Sequence, residues 1–448
     1  MTEPFDQLQA HMVAAGGRLY AGSTASGVAL AGPQHALLVL GPPRSGKTTT
    51  LAVPNTVLAP GPVVVTSTKA DILAATLAAR SQVGDCWLLD PTGSVEAPPG
   101  VRRIRWSPVA AARTWDESLT TARAMTGAAR PGGRTGDSAH WTERAEALLA
   151  PVLHAAHLAG AGMDTALGWV LRQDHGEASA LLRGAGVRLG ADVLAGIAAT
   201  DSRELSGIWS TAAGILAAYR SERVLDHSDP VNFAPDALAA SRDTVYVCAP
   251  ARHQDLVAPV IVAFLEQVRA GGYAASTGGA RRPPLTLVLD ELANIAPIPD
   301  LPAMVSEGGG QGVLTVGFLQ DLSQARARWG PAADGFLSLF GTKLVLPGIA
   351  DLATIELVSR LGGDIDVPAS SVSRGPWWAG GRGAPTVTWS HQRQRRLPPD
   401  AVSHQPPGTA LMLCGSEPAA RVRLPPWWAL PVMPGRPPTA RPLPGRGL

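Results

Sequence analysis

Ala36-Leu-Leu-Val-Leu40, followed without a break by Gly41-Pro42-Pro43-Arg44-Ser45-Gly46-Lys47-Thr48, is the stretch on which the fold turns. The first five residues are apolar and unalternated, as in a strand buried on both faces of a parallel sheet. The next eight match G-x-x-x-x-G-K-[ST], and Thr48 to Leu51 lead into a predicted helix. Each residue type has a reason. Gly41 and Gly46 let the backbone curl so that its N–H groups face phosphate oxygens, and the helix N-terminus adds its positive end. Lys47 supplies a point charge to the β- and γ-phosphates, and the Thr48 hydroxyl is a ligand for Mg²⁺. The whole loop, Gly41 to Thr48 together with Thr49, is the predicted ATP-binding segment.

Working outward, further short apolar runs bounded by Gly, Pro or Asp read as strands. They are Arg18–Ala21, Val28–Leu30, Val63–Thr66, Cys86–Leu89, Thr244–Cys248, Leu285–Leu289, Val313–Leu319 and Lys343–Leu346. Helical stretches such as Leu256–Arg269 between them predict an α/β crossover architecture with a mostly parallel sheet. From Pro108 to Ser228 the strand pattern stops. Trp141, Ala145, Leu148, Leu149, Val152 and Leu153 recur at helical spacing, as do Leu205, Ile208, Trp209, Ala212, Ile215, Leu216 and Tyr219. Asp201-Ser-Arg-Glu204 offers a capping box. The reading is an all-helical domain, 108–228, with a core of its own, inserted between nucleotide-binding segments 1–107 and 229–428. The Pro/Arg/Gly-rich stretch 429–448 is predicted to be a disordered tail.

The strand Leu285–Leu289 ends in Asp290-Glu291. In phosphate-loop enzymes the first acid holds Mg²⁺ and the second activates the attacking water. Gln320 follows Val313–Leu319, where a polar side chain can sense the γ-phosphate; the alternative is a solvated cap on the next helix. Lys69 and Asp90 also sit at strand ends, where ligands bind in open sheets, though turn chemistry explains them as well. Arg374, Arg382, Arg393, Arg395 and Arg396 alternate with Trp377, Trp378 and Trp389. That mixture suits single-stranded nucleic acid, but a surface hairpin with locally packed Trp side chains is the preferred reading.

Composition excludes several classes. In the 448 residues Lys+Arg (38) and Asp+Glu (36) nearly cancel, so a polyanion must be held by a local patch. Cys86, Cys248 and Cys414 are dispersed in apolar runs, which suits a reducing compartment and neither disulfides nor a metal cluster. His140, His154 and His157 lack partners at metal spacing. No signal peptide is legible, and Ala147–Leu158 and Leu256–Leu265 read as too short to span a bilayer, so a cytoplasmic protein is expected.

With these motifs the chain resembles the type IV coupling proteins of the TraG/VirD family. The likeness runs through Val39-Leu-Gly-Pro-Pro-Arg-Ser-Gly-Lys-Thr, Val65-Thr-Ser-Thr-Lys-Ala-Asp, Leu89-Asp-Pro-Thr-Gly and His140-Trp-Thr-Glu-Arg-Ala. It continues through Leu289-Asp-Glu-Leu-Ala-Asn-Ile, Gly310-Gln-Gly, Leu319-Gln-Asp-Leu-Ser-Gln-Ala and Leu424-Pro-Pro-Trp-Trp. The resemblance implies a RecA-like domain, a helical insertion that meets cargo or machinery, and a homo-hexamer that delivers DNA to a conjugative channel. DNA, relaxosome and secretion-channel proteins are the implied partners. It gives Lys47 and Thr48 the phosphate-loop roles, Asp290 and Glu291 the metal and water roles, and Gln320 the sensor role. Two departures stand out. The membrane anchor usual in members is not seen, so contact with the inner face of the membrane is expected only through a partner. The loop Ser306-Glu-Gly-Gly-Gly-Gln-Gly312 has no arginine for a trans-acting finger, leaving Arg326 and Arg328 as substitutes by proximity. A double-stranded DNA pump of the FtsK kind and a non-hydrolysing receptor on an ATPase scaffold are the rival readings.

Overall fold

The computed structural model describes residues 3–129, 136–277, 282–373 and 386–430. Its frame is one twelve-stranded sheet, and the apolar runs supply its middle. The strands are β1 (Tyr20–Thr24), β2 (Gly27–Leu30), β3 (Leu37–Leu40), β4 (Val63–Ser67), β5 (Cys86–Leu89), β6 (Val101–Arg103) and β7 (Thr244–Cys248). Then follow β8 (Leu285–Leu289), β9 (Val313–Leu319), β10 (Thr342–Val345), β11 (Asp364–Ser373), β12 (Thr386–Arg395), β13 (Thr409–Cys414) and β14 (Ala420–Arg423). Their order across the sheet is β2-β1-β14-β13-β10-β3-β9-β8-β4-β7-β5-β6. From β10 to β6 all neighbours are parallel; β13, β14, β1 and β2 extend the sheet antiparallel.

Both faces are covered, which is why the central strands read as unbroken apolar runs. Leu37 and Val39 of β3 pack with Leu51, Val57 and the N-terminal helix residues Leu8 and Met12. Leu38 and Leu40 face the other way, into a layer that includes Phe264 of the long helix Gln254–Thr277. That helix, counted as Ala251–Thr277, is long and apolar enough to cross a membrane by composition, and most of it is buried in the protein. Its apolar middle, Leu256–Leu265, is only part of that length.

Every described element from Pro108 to Asp226 is helical. Thr114 and Glu117 form a reciprocal capping box on the helix Trp115–Ala128. The box expected at Asp201 is only half made: Asp201 accepts from the N–H of Arg203 and Glu204, but Glu204 turns to His140 (3.3 Å) and Arg144 (3.3 Å). The helical stripes do not close on themselves. Leu148, Leu153, Trp169 and Trp209 belong to one continuous buried cluster with Leu38, Val247 and Leu287 of the sheet.

At the other end of the chain, β11 and β12 pair over ten rungs as a separate ribbon with no buried residue among those described. Arg393 with Asp364 and Arg395 with Glu356 pin its base, and Trp389 is 72% exposed. Trp389 therefore does not pack locally as expected. Arg374, Trp377, Trp378, Arg382 and the expected tail beyond Leu430 lie outside the described residues.

Candidate nucleotide site

β3 delivers the chain into a loop whose tight path is shaped by Gly41 and Gly46. The Gly41 N–H donates to the Leu319 carbonyl (3.1 Å), tying the loop to the end of β9. A Cβ at Gly41 would sit 2.8 Å from the Ser45 hydroxyl, and Gly46 has φ +92°. Thr49 and Thr50 both donate their hydroxyls to the Gly46 carbonyl, at 3.1 and 3.0 Å. The following helix opens with a wide π turn, Thr48–Ala52, before Val53–Leu58 continues as α. Lys47 reaches back across the loop and donates to the carbonyls of Gly41 and Pro42. Meanwhile the N–H groups of Arg44 and Gly46 have no carbonyl partner among the described residues, and the buried Ser45 hydroxyl has no partner either. A concavity of unused donors beside an ammonium group is built for an anion.

The acidic pair arrives from β8. Thr66 donates to the Asp290 carbonyl (2.7 Å), fixing the strand end. Thr48 Oγ1 then donates to Asp290 Oδ2 at 3.3 Å, joining the two motifs across 242 residues of chain. Burial and the neighbouring Glu291 push the Asp290 carboxyl up to about 6, against the pull of Lys47 and Thr48. Burial lowers Lys47, and Asp290 and Glu291 partly offset this. Glu291 has left-handed backbone, φ +52°, and accepts from Asn294 Nδ2 (3.2 Å). Asn294 was not singled out in the sequence, though it stands three residues beyond Glu291. A hydroxyl and a carboxylate side by side are the hard oxygen donors Mg²⁺ requires, so this pair fits that ion.

Gln320 follows β9, which lies between β3 and β8 and so between the loop and the acids. Asp321, not Gln320, caps the next helix by accepting from Ser323 and Gln324. The Gln320 side chain has no hydrogen bond among the described residues, and its N–H donates to Gln324 (3.0 Å). Asp90 is buried in its own turn, accepting from Thr92 and Val95, while Lys69 is exposed. Arg326 is paired with Asp334 (3.0 Å), and Arg328 donates to the Ala128 carbonyl. His154 bonds the Ala112 carbonyl (2.8 Å), and no metal-binding group of His, Cys, Asp and Glu forms among the described residues.

Against known proteins, the family model for type IV secretory system conjugative DNA transfer matches residues 6–436. The chain belongs to this family of type IV coupling proteins. Among solved structures, the conjugative coupling protein TrwBdeltaN70 in its unbound monoclinic form is similar at TM-score 0.69 and 19% identity, covering 94% of this chain and 91% of that one. Plasmid coupling protein TrwB with the non-hydrolysable ATP analogue ADPNP gives 0.66 and 19%, covering 88% and 86%. TrwB with ADP and Mg²⁺ gives 0.66 and 20%, covering 94% and 92%. No curated protein matches the chain in sequence. At such identities the structures establish the fold of this coupling protein: a RecA-like α/β phosphate-loop fold carrying a helical insertion.

Proposed function

We propose that this coupling protein hydrolyses ATP with Mg²⁺ and uses the cycle to move single-stranded DNA, or a DNA–protein substrate, to a type IV conjugative channel. The observation that carries the reading is the meeting of Thr48 and Asp290 at 3.3 Å, with Lys47 and Glu291 flanking them. TrwB crystallised with ADPNP, and with ADP and Mg²⁺, supports the same ligands here. Thr48 and Asp290 hold the ion, which when bound neutralises charge on the β- and γ-phosphates. Lys47 exchanges its loop carbonyls for phosphate oxygens. Glu291 orients the attacking water and takes its proton, and Gln320 reads the γ-phosphate from between the two motifs. Residues 108–228 form the unit that meets cargo or machinery, working as part of a homo-hexamer docked through a partner at the cytoplasmic face of the membrane.

The test is ATP turnover with and without single- and double-stranded DNA, read beside the oligomeric state. Hydrolysis stimulated by single strands supports the reading. Stimulation by duplex alone would favour a double-stranded pump, and ATP binding without turnover under every condition would favour a receptor on an inert scaffold.

A further inference from the structure

Among the described residues other than glycine, four have left-handed backbone: Gln34, Arg44, Gln173 and Glu291. Gln173 closes a helix, a routine place for that conformation. Arg44 and Glu291 both lie in the nucleotide site. A side chain held at φ +65° is strained where glycine would not be, and strain of this kind gathers where function requires the residue. Arg44 is also exposed, on the outer turn of the phosphate loop, and its guanidinium has no hydrogen bond or ion pair among the described residues. The other arginines considered for the reaction are committed elsewhere, Arg326 to Asp334 and Arg328 to Ala128. The loop Ser306–Gly312 contains none.

We propose that Arg44 is this coupling protein's own phosphate-reading arginine, acting in cis on the triphosphate bound by its own loop. The inference rests on the site being an ATPase and adds a residue to it. In the reaction the water oxygen bonds to the γ-phosphorus. The bond from that phosphorus to the β–γ bridging oxygen breaks, and the oxygen leaves on ADP with the electron pair. The water's proton passes to the Glu291 carboxylate. Negative charge therefore grows at the bridging and β-phosphate oxygens, where a planar guanidinium donates two parallel hydrogen bonds that an ammonium cannot. Lys47 meets the charge present in the ground state, and Arg44 meets the charge that develops.

Arg44→Gly keeps the backbone conformation and removes the guanidinium; Arg44→Lys keeps a charge and loses the fork. Both should bind a non-hydrolysable ATP analogue such as ADPNP within about threefold of wild type, since that ligand lacks the developed charge. Both should lose about 10²-fold or more in kcat and in affinity for ADP–aluminium fluoride, in line with arginines that serve phosphoryl transfer. Arg44→Gly should melt no lower than wild type, because relieving the strain offsets the lost side chain. Mixing Arg44→Gly with Lys47→Ala subunits should restore nothing if Arg44 acts in cis. Restored turnover in the mixture would overturn the cis assignment. Wild-type turnover and fluoride-complex affinity in Arg44→Gly would overturn the proposal while leaving the ATPase reading intact. A wild-type protein that neither binds ADP nor hydrolyses ATP would instead remove the reading on which it rests.

Discussion

Asp290 holds its proton to about pH 6 in the folded chain, whereas an unfolded aspartate releases it near 3.8. The folded state therefore binds more protons between those values, and stability must fall as pH rises through that window. The two-unit displacement corresponds to about 3 kcal/mol at most, measurable by urea unfolding of the chelated protein at a series of pH values. The ionised form is the one that binds Mg²⁺, so Mg²⁺ affinity should rise as pH passes about 6; affinity flat from pH 5 to pH 8 would remove Asp290 from the ion site. Glu291→Gln keeps the bond to Asn294 within reach and removes the carboxylate proposed as the base. Nucleotide should stay bound while kcat falls by about 10²–10⁴-fold, read in a single-turnover assay. At this scale the sequence was informative because the chemistry is local. Eight consecutive residues make the loop, and Asp290-Glu291 closes a five-residue apolar strand. What it could not show was Arg44's lack of a partner or the commitment of Arg328, since both depend on which distant backbone lies alongside.

Among the elements, the strands buried on both faces were legible, as was the edge pair read at Arg18–Ala21 and Val28–Leu30, while several exposed strands were not. Val63–Ser67 and Leu285–Leu289 have no polar alternation, and each has a cover on either side. Val101-Arg-Arg103 and Ala420-Arg-Val-Arg423 are edge or near-edge strands whose arginines reach water, and they read as loop. Asp364–Ser373 and Thr386–Arg395 form a ribbon outside the core, so no burial imprinted a pattern on them. Nor does any single segment encode the order of the strands. One residue shows what holds that order. Arg80, fully buried, donates to Thr244 and to the carbonyls of Ala59, Gly61 and Arg242, clamping the starts of β4 and β7. Arg80→Met would leave the buried Ala59 and Gly61 carbonyls and the buried Thr244 hydroxyl without this donor and should cost about 3 kcal/mol or more. A urea midpoint equal to wild type would show that water replaces the clamp.

At the level of the whole molecule, the helical insertion and the sheet share one core, so deleting 108–228 should expose apolar surface and yield an aggregating protein, not a working nucleotide domain. A soluble, ADP-binding deletion protein would contradict that shared core. Arg328 contributes to the same union: its half-buried guanidinium, lowered to about 10 by desolvation, bonds the end of the helix Trp115–Ala128. Arg328→Ala should therefore lower the melting temperature and leave the concentration dependence of turnover unchanged, as a dilution series would show. Finally, β9 is seven residues long, buried throughout and laddered on both sides, to β3 and to β8. A strand held this way cannot slide without breaking two ladders, so it behaves as a stiff rod of about 23 Å. Its two tips lie at opposite ends of the parallel strands: Leu319 and Gln320 beside the phosphate loop, where the Gly41 N–H is held, and Val313 at the turn Gly308–Gly312 that packs on Gln34. A push at one tip must emerge at the other, so whatever shifts the phosphate loop is felt on the far side of the sheet.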